Sequence, residues 1–236
     1  MTESGTLFLI PSIISENTSE KVLPSYLIAV INDLDEFIVE DERTARRFLK
    51  VAGYLKPLDS LILHQLNKHT DATELPSFIN SLLQGKNVGL LSEAGCPCVA
   101  DPGSAIVKIA HEHQIVVKPL VGPSSIMLAL MASGLNGQSF VFHGYLPIEK
   151  NARIKKIKEL ENKAGRENQT QIFMEAPFRN MQLLNDILHS CNSGTSLCIA
   201  CDITGSSEFI QTKSISEWKK KIPELHKKTV IFLLYK

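Results

Sequence analysis

Residues 88–130 decide the fold of this chain, and they read VGLLSEAGCPCVADPGSAIVKIAHEHQIVVKPLVGPSSIMLAL. A short apolar run, Val88–Leu91, leads into a loop rich in glycine and proline, and a second run, Ile115–Pro119, leads into Val121–Ser125. Continuous apolar runs of this length between turn residues are typical of buried parallel strands, and Ser104–His113 between them predicts a helix. The stretch therefore predicts a β-α-β unit in which each strand ends in a loop of small residues.

The same alternation of strand-like and helix-like segments extends over the whole chain. In the first half, further strands are predicted at Thr6–Ile10, Phe37–Val39 and Leu61–Leu63, and helices at Leu23–Asn32, Glu42–Val51 and Glu74–Gln84. In the second half, strands are predicted at Ser139–His143, Gln171–Met174, Ser196–Cys201 and Thr229–Leu234, helices at Ser124–Ser133, Lys150–Lys163, Arg179–His189 and Glu217–Lys221, and a polar loop at Ala164–Gln169. Such alternation indicates parallel sheets flanked by helices. We therefore predict an α/β fold of two domains, residues 1–120 and 121–236, each with a mainly parallel sheet.

Composition limits the classes of partner. The 25 basic residues balance the 25 acidic ones, so a nucleic acid would have to be bound by a local patch. Lys150–Arg166 is one candidate patch, although such a run is also typical of a solvated helix face. No apolar run approaches the roughly 20 residues of a membrane span, and the first residues lack a basic signal-peptide region, which predicts a cytoplasmic protein without membrane contact. Cys198 and Cys201 lie in a strand-like run, which predicts reduced core thiols and no metal site.

The two loops after the strands of residues 88–119 predict a ligand site. Loops at the carboxyl ends of neighbouring parallel strands are the usual binding position in α/β proteins. Gly95, Gly103 and Gly122 let the backbone approach a ligand closely, and the helix that begins after the second loop offers amides to a polar group. The glycine fingerprints of dinucleotide-binding and P-loop proteins are absent. The loops predict one extended polar ligand, with ordinary turn chemistry as the alternative.

Several segments resemble a known family. SEAGCPCVADPG (Ser92–Gly103) resembles SDAGTPLISDPG of the tetrapyrrole-methylase superfamily, and VGPSSIMLALMASGL (Val121–Leu135) resembles LPGPSA…ALxxSGL of its small-subunit ribosomal RNA ribose 2′-O-methyltransferase branch. Further matches to that branch, in the same order, are Val39–Arg46 to AEDTRxTR, Phe142–Pro147 to F-x-GFLP, Ile172–Arg179 to F-YESPHR, and Cys201–Thr204 with Glu208 to RELTK…E. The matches extend over nearly the whole chain.

The resemblance implies a homodimer that binds S-adenosylmethionine in a cleft between two α/β domains and methylates a ribose 2′-hydroxyl of ribosomal RNA in the small ribosomal subunit. Carried over position by position, it implies cofactor-binding roles for Pro11, Glu93, Gly95, Cys96, Pro97, Asp101, Gly103, Gly122, Ser124, Ser125, Met174, Glu175, Ala200 and Thr229.

Departures from the family pattern leave two alternatives open. The first loop, Ile10–Asn17, has no glycine, Glu93 and Cys96 replace an aspartate and a threonine, and Lys68 replaces an acidic residue. One alternative is a methyltransferase of the same fold that acts on a tetrapyrrole or another small acceptor, which the neutral net charge favours. The other is an S-adenosylmethionine-binding module without catalytic activity.

Methyl transfer to a hydroxyl requires an aligned acceptor and a base that removes its proton. The candidate bases near the predicted site are Glu40, Asp41, His64 and Asp101. We favour Asp41, with Arg43 orienting a phosphate or carboxylate. The acidic pair could equally cap the helix that begins near Glu42, and His64 could be a surface histidine.

Overall fold

The computed structural model describes residues 4–67 and 69–236, so that Lys68, one of the departures from the family pattern, lies outside the described residues. The chain divides into two compact units, of which the first ends at Ser124 and the second begins at Ser125. The predicted boundary between residues 120 and 121 falls slightly earlier, in the loop that joins the units.

The first unit contains a parallel sheet that has five strands among the described residues, in the order β3-β2-β4-β1-β5. The strands are β1 (Thr6–Ile10), β2 (Glu36–Val39), β3 (Ile62–Gln65), β4 (Val88–Leu91) and β5 (Val116–Pro119). The helices are α1 (Ser19–Val22), α2 (Ser25–Asp33), α3 (Glu42–Val51), α4 (Asn80–Leu83) and α5 (Ser104–Glu112), with 3-10 turns at Leu58–Ser60 and Leu75–Ile79. The predicted parallel sheet is confirmed for this unit.

The inner strands β2 and β4 are buried on both faces, which explains their continuous apolar sequences. Phe37 and Val39 pack into one apolar cluster and Ile38 into another, because successive side chains of a strand point to opposite faces. Two predicted helices are shorter than expected. Pro24 has extended backbone angles and separates α1 from α2, and the segment containing Pro76 begins as a 3-10 turn before α4.

The second unit contains a sheet that has five strands within the described part of the chain, in the order β6-β7-β10-β8-β9. The strands are β6 (Phe140–Tyr145), β7 (Thr170–Met174), β8 (Ser196–Cys201), β9 (Phe209–Ser214) and β10 (Val230–Tyr235). The helices are α6 (Ser125–Ser133), α7 (Lys150–Glu167), α8 (Asn180–Ser190) and α9 (Ile215–Lys220), with a 3-10 turn at Pro177–Arg179.

Three sequence-based predictions are wrong for this unit. The sheet is not mainly parallel, because only β6 and β7 pair in parallel and the pairs β7–β10, β10–β8 and β8–β9 are antiparallel. The prediction missed β9, an edge strand whose partly exposed FIQTKS sequence lacks an apolar run. The predicted loop at Ala164–Gln169 is helical up to Glu167, because Ala164 continues the buried stripe of α7, and Asn168 ends the helix in a left-handed conformation.

Candidate functional site

Two loops are tied together at the carboxyl edge of the parallel sheet. They follow the adjacent strands β1 and β4. Ser12 N donates to Gly95 O at 2.9 Å, and Gly95 N donates to Ser12 O at 3.2 Å. The Ser12 hydroxyl also donates to Ser92 O at 2.8 Å, and the Ser92 hydroxyl donates to Gly95 O at 2.6 Å. The role of Ser12 was not predicted, since its partners become apparent only when β1 is known to lie beside β4.

The loop after β5 packs against the same pair of loops. A Cβ atom on Gly122 would lie 2.4 Å from Cβ of the buried Pro11, so these two residues touch with no space for a side chain. Gly95 has a φ of +74°, in the left-handed region, and faces Pro123 O. The thiol of Cys96 donates to Pro123 O at 3.5 Å. The structure therefore brings Pro11, Gly95, Cys96 and Gly122 together.

Three more of the predicted cofactor-binding residues, Pro97, Ser124 and Ser125, lie next to these contacts in the sequence. Pro97 is buried between Cys96 and Cys98, and Ser124 is half-buried at the end of the unit. Burial raises the pKa of the Cys96 thiol, which a hydrogen bond with Ser124 partly offsets. Ser125 is the first residue of α6.

Asp101 organises the loop that follows β4. Its carboxylate accepts hydrogen bonds from Cys98 N at 2.9 Å and from Gly103 N at 2.8 Å. In this loop, Cys98 and Ala100 have φ angles of +66° and +63°. Residues other than glycine rarely adopt this conformation, and the hydrogen bonds to the Asp101 carboxylate help to hold it. Burial raises the pKa of Asp101, and the two hydrogen bonds act in the opposite direction. Burial also raises the pKa of the Cys98 thiol to about 11.

Glu40, Glu93 and Asp101 form a group of carboxylates where β2 and β4 end. Burial raises the pKa of the half-buried Glu40, and the charges of Asp101 and Glu93 raise it further. The backbone N–H of Glu93 donates a hydrogen bond to Glu40, which lowers the pKa and partly offsets these effects. The exposed Glu93 accepts a hydrogen bond from the Thr44 hydroxyl at 2.6 Å. Glu40 also lines two small clefts, both bordered by Val39 and Leu91. A carboxyl group with a raised pKa is the better proton acceptor.

Asp41, the favoured base at the sequence level, caps a helix. Its carboxylate accepts a hydrogen bond from Thr44 N at 2.9 Å at the amino end of α3. This hydrogen bond lowers the pKa of Asp41, so that the group is less basic than its neighbour Glu40. Arg43 is exposed in the first turn of the same helix.

The described contacts of the His64 side chain are with Glu36 and Phe78. His64 lies on the edge strand β3, and its Nε2 atom is 2.7 Å from Oε1 of the buried Glu36. The backbone of His64 is in register with Ile38, and its side chain reaches back to Glu36, the first residue of β2. The ring also packs edge to face on Phe78.

The remaining predicted positions lie at one edge of the second sheet, where β7 and β8 end and β10 begins. Met174 ends β7, and the buried Glu175 after it accepts hydrogen bonds from Arg179 at 2.7 Å and from Ala176 N at 2.7 Å. Ala200 is fully buried in β8. The hydroxyl of Thr229 lies 3.3 Å from an Asp202 carboxylate oxygen. Glu175 is thus already ion-paired.

Two buried side-chain oxygens near this edge, Asn180 Oδ1 and Thr204 Oγ1, have no hydrogen-bond partner within residues 4–67 and 69–236. A buried polar atom without a partner is costly, so these two oxygens destabilise this edge of the sheet.

The candidate basic patch of residues 150–166 is largely committed within the protein. Arg153 is buried and donates to the Asp186 carboxylate at 2.6 Å, and Lys156 and Lys163 both contact Glu159, at 3.1 and 3.2 Å. The solvated helix face therefore describes most of this segment.

All five cysteines are free. In the part of the chain that the structure describes, no three His, Cys, Asp or Glu side chains are grouped so as to hold a metal ion. No helix there combines the length and apolarity needed to span a membrane.

Comparison with known sequences gives a consistent family match. Residues 26–217 match the family model of tetrapyrrole (corrin/porphyrin) methylases. The ribosomal RNA small subunit methyltransferase I of Vibrio cholerae serotype O1 is 32% identical over 188 residues, which are 80% of this chain and 62% of that protein. The protein of the same name from Streptococcus pyogenes serotype M6 is 31% identical over 214 residues, 91% of this chain and 70% of that protein. The chain thus spans about three-fifths of the length of the Vibrio relative.

Solved structures share the fold at low sequence identity. The methyltransferase CobJ is 16% identical with a TM-score of 0.63, and the alignment covers 100% of this chain and 94% of that one. Uroporphyrin-III C-methyl transferase from Thermus thermophilus, solved with S-adenosyl homocysteine, is 14% identical with a TM-score of 0.58, with 98% of both chains covered. The predicted α/β architecture is confirmed by these neighbours.

Proposed function

This chain belongs to the tetrapyrrole (corrin/porphyrin) methylase family, and from that premise we propose that it is an S-adenosylmethionine-dependent methyltransferase acting on a ribose 2′-hydroxyl of small-subunit ribosomal RNA. The observation that carries the proposal is the meeting of the loops after β1, β4 and β5 at one edge of the parallel sheet. The choice of acceptor is supported by relatives named ribosomal RNA small subunit methyltransferase I.

The three loops fit a nucleoside with a charged amino-acid tail. Gly95 carries no side chain, so a cofactor could lie directly on the backbone there. The absence of a side chain at Gly122 lets its loop pack on Pro11, and Asp101 holds the next loop in shape. We assign the cofactor to this edge, with Pro11, Cys96, Pro97, Gly103 and Ser124 as its neighbours. Glu93, Ser125, Met174, Glu175, Ala200 and Thr229 remain proposed cofactor positions from the family resemblance. When bound, the cofactor supplies a methyl group on a sulfonium, which is an excellent leaving group.

The protein would then have to align the ribose and take up its proton. Glu40 is the proposed base. Its burial and the charges of Asp101 and Glu93 favour the protonated carboxyl group that forms when Glu40 accepts the proton of the ribose hydroxyl. Asp41 would stabilise the first turn of α3 through its hydrogen bond with Thr44 N. The hydroxyl of Thr44 donates to Glu93, and this contact would keep the Glu93 carboxylate beside Glu40. Arg43 is exposed and would contact a phosphate of the substrate.

Two measurements on the full chain test the proposal. Calorimetric titration with S-adenosylhomocysteine should give a saturable binding curve. Labelled methyl groups from S-adenosylmethionine should then enter small ribosomal subunits, and nuclease mapping should recover the label as a 2′-O-methylated nucleotide.

The alternatives correspond to different outcomes of the same measurements. Label that enters a porphyrinogen but not the ribosomal subunits would show a small-molecule acceptor. Cofactor binding without transfer to either acceptor would indicate a binding module. A titration without any heat of binding would refute the cofactor assignment itself.

We also propose that the chain forms a homodimer and meets its ribosomal substrate in the cytoplasm. Helix α6 is apolar around its whole circumference, and Met131 on it is 74% exposed. A helix of this composition is normally covered, and a second copy would cover it. Sedimentation equilibrium should give twice the chain mass, and Met131→Lys should shift the equilibrium to the monomer.

A further inference from the structure

Two exposed aromatic rings follow neighbouring strands of the second sheet. Tyr145 is the last residue of β6 and is 59% exposed, and Phe178, just after β7, is 65% exposed. The strands β6 and β7 are parallel, and Tyr145 pairs with Met174 in register, so both rings belong to the same edge. Large exposed apolar groups clustered in this way mark interaction sites more often than isolated ones do.

Phe178 is held on a rigid support. It is the middle residue of the 3-10 turn Pro177–Arg179, in which Arg179 N donates to Ala176 O at 2.8 Å. Lys227 N donates to Pro177 O at 3.0 Å from the loop before β10. Because the backbone that carries the ring is already ordered, a partner that covers the ring pays less conformational entropy.

The backbone before Tyr145 is shaped by a glycine. The pairing of β6 with β7 is irregular between Phe142 and Tyr145, and Gly144 within that irregularity has a φ of +64°. Bulges of this kind redirect the following side chain and are frequent beside active sites. The sequence thus uses a glycine where the exposed tyrosine leaves the strand.

Positive charge accompanies the rings. The Arg179 guanidinium stacks on Phe178, 4.9 Å from the ring centre, and Glu175 fixes its orientation through a 2.7 Å hydrogen bond. The pKa of Arg179 is raised first by that hydrogen bond, then by the charge of Glu175 and least by Tyr145, which lies at the same edge of the sheet. Lys227, on the loop that contacts Pro177, has no ion-pair partner among the described residues.

We propose that Tyr145, Phe178 and Arg179 form a stacking platform for an unpaired base of the RNA substrate. The proposal rests on the proposed function for the choice of RNA as partner. Aromatic rings and guanidinium planes are the surfaces on which proteins stack single-stranded bases, and nearby cations bind the phosphates. A nucleotide whose ribose must reach an enzyme's reactive group leaves its helical stack, so that a replacement stacking surface lowers the cost.

The test compares ring variants of the full chain in fluorescence anisotropy titrations with a labelled oligoadenylate of about ten nucleotides, a length within the site size of single-strand binding proteins. Phe178→Leu keeps an apolar side chain but removes the aromatic face, and we expect it to raise the Kd roughly 5- to 100-fold. Phe178→Trp should restore tight binding. Tyr145→Leu should weaken binding, and Tyr145→Phe should not.

The matched control is Tyr26→Leu, which removes a tyrosine ring that is 63% exposed on α2 of the first unit. It should leave the Kd for the oligoadenylate unchanged. An RNA duplex of the same length should bind equally to the unaltered chain and to Phe178→Leu, because its bases are not available for stacking. Circular dichroism should show all variants folded.

Each contrary outcome overturns the platform in a recognisable way. If Phe178→Leu binds the oligoadenylate like the unaltered chain, or if the unaltered chain does not bind it, the platform is wrong. If Phe178→Leu loses S-adenosylhomocysteine affinity instead, the ring belongs to the cofactor site, and if its mass in sedimentation falls, the ring is a contact between copies. Failure of the unaltered chain to bind S-adenosylhomocysteine would refute the proposed function, whereas ring-dependent RNA binding would still support the platform.

Discussion

Replacing Gly122 by alanine should separate the loops on which the proposed cofactor site depends. The φ angle of Gly122 lies outside the left-handed region, so its backbone conformation is open to any residue. Space is the only constraint. The added Cβ would lie 2.4 Å from Cβ and 2.8 Å from Cγ of Pro11, a buried ring directly after β1. Since carbon atoms in contact are about 3.5 Å apart, one loop must move by about 1 Å.

Two opposing effects determine the stability of this variant. Overpacking of a filled position costs about 1–3 kcal/mol. Alanine in place of glycine restricts the unfolded chain, which stabilises the protein by about 0.4–1 kcal/mol. The steric cost is larger because Pro11 is a rigid ring attached to the backbone and cannot rotate aside. We therefore expect Gly122→Ala to lower the free energy of unfolding by about 1–2 kcal/mol.

The effect on function should be larger than the effect on stability. A displacement of about 1 Å in a site that works by alignment can reduce a rate about 100-fold. Urea unfolding measures the stability, calorimetry measures the Kd for S-adenosylhomocysteine, and labelled transfer measures the rate. Gly137→Ala is the control, because Gly137 is exposed with nothing within 4 Å of its added Cβ atom and no left-handed φ. If Gly122→Ala matches this control in all three measurements, the loops do not form the cofactor site.

Three further substitutions test other parts of the chain. Glu40→Gln should remove the rising limb of the pH–rate profile, which lies above the ordinary pKa of a glutamate, and should lower transfer about 10²- to 10⁴-fold with an unchanged cofactor Kd. Because the raised pKa makes ionised Glu40 destabilising, the variant should be more stable than the unaltered chain at neutral pH. This gain should vanish as the pH falls below the raised pKa of Glu40. Gly95→Val places a branched side chain at a φ of +74°, and calorimetry should show cofactor binding abolished in a folded chain; unchanged affinity would mean that this loop does not touch the cofactor. Asp186→Asn leaves the Arg153 guanidinium buried without its anion and should lower the free energy of unfolding in urea by about 3–5 kcal/mol. The control Glu112→Gln breaks an exposed pair and should lower it by about 0–1 kcal/mol. Equal losses of stability would contradict the buried ion pair.

The parts of the fold that the sequence predicts well are those with local signals. Strands β1 and β4 were predicted at their observed bounds, because both are short apolar runs closed by turn residues. Helix α3 was predicted residue by residue, since Asp41 marks its start and Gly53 follows its end. The antiparallel pairing of the second sheet has no such signal. It depends on β10 lying between β7 and β8, which are far from it in sequence.

The site divides in the same way. Gly95 and Gly122 were predicted from turn chemistry within their own loops. The contact of Ser12 with Ser92 was not predicted, because the two residues are 80 positions apart in sequence. The pairing of His64 with Glu36 likewise follows from β3 lying beside β2. Residue types identify the loops, but the order of the strands decides which side chains meet.

Glu40 and Asp41 show why acidic character alone does not identify a base. They are adjacent, yet the pKa of Glu40 is raised and that of Asp41 is lowered. Asp41 has an extended backbone that turns its carboxylate onto the amino end of α3, where an amide stabilises the charge. Glu40 ends up beside Asp101 and Glu93 because β4 lies next to β2, and these negative charges oppose its ionisation. We therefore place the proposed base one residue before the position favoured by sequence. An Asp41→Ala variant, which removes the side chain that caps α3, should lose stability while keeping the pH-dependent limb that Glu40→Gln removes.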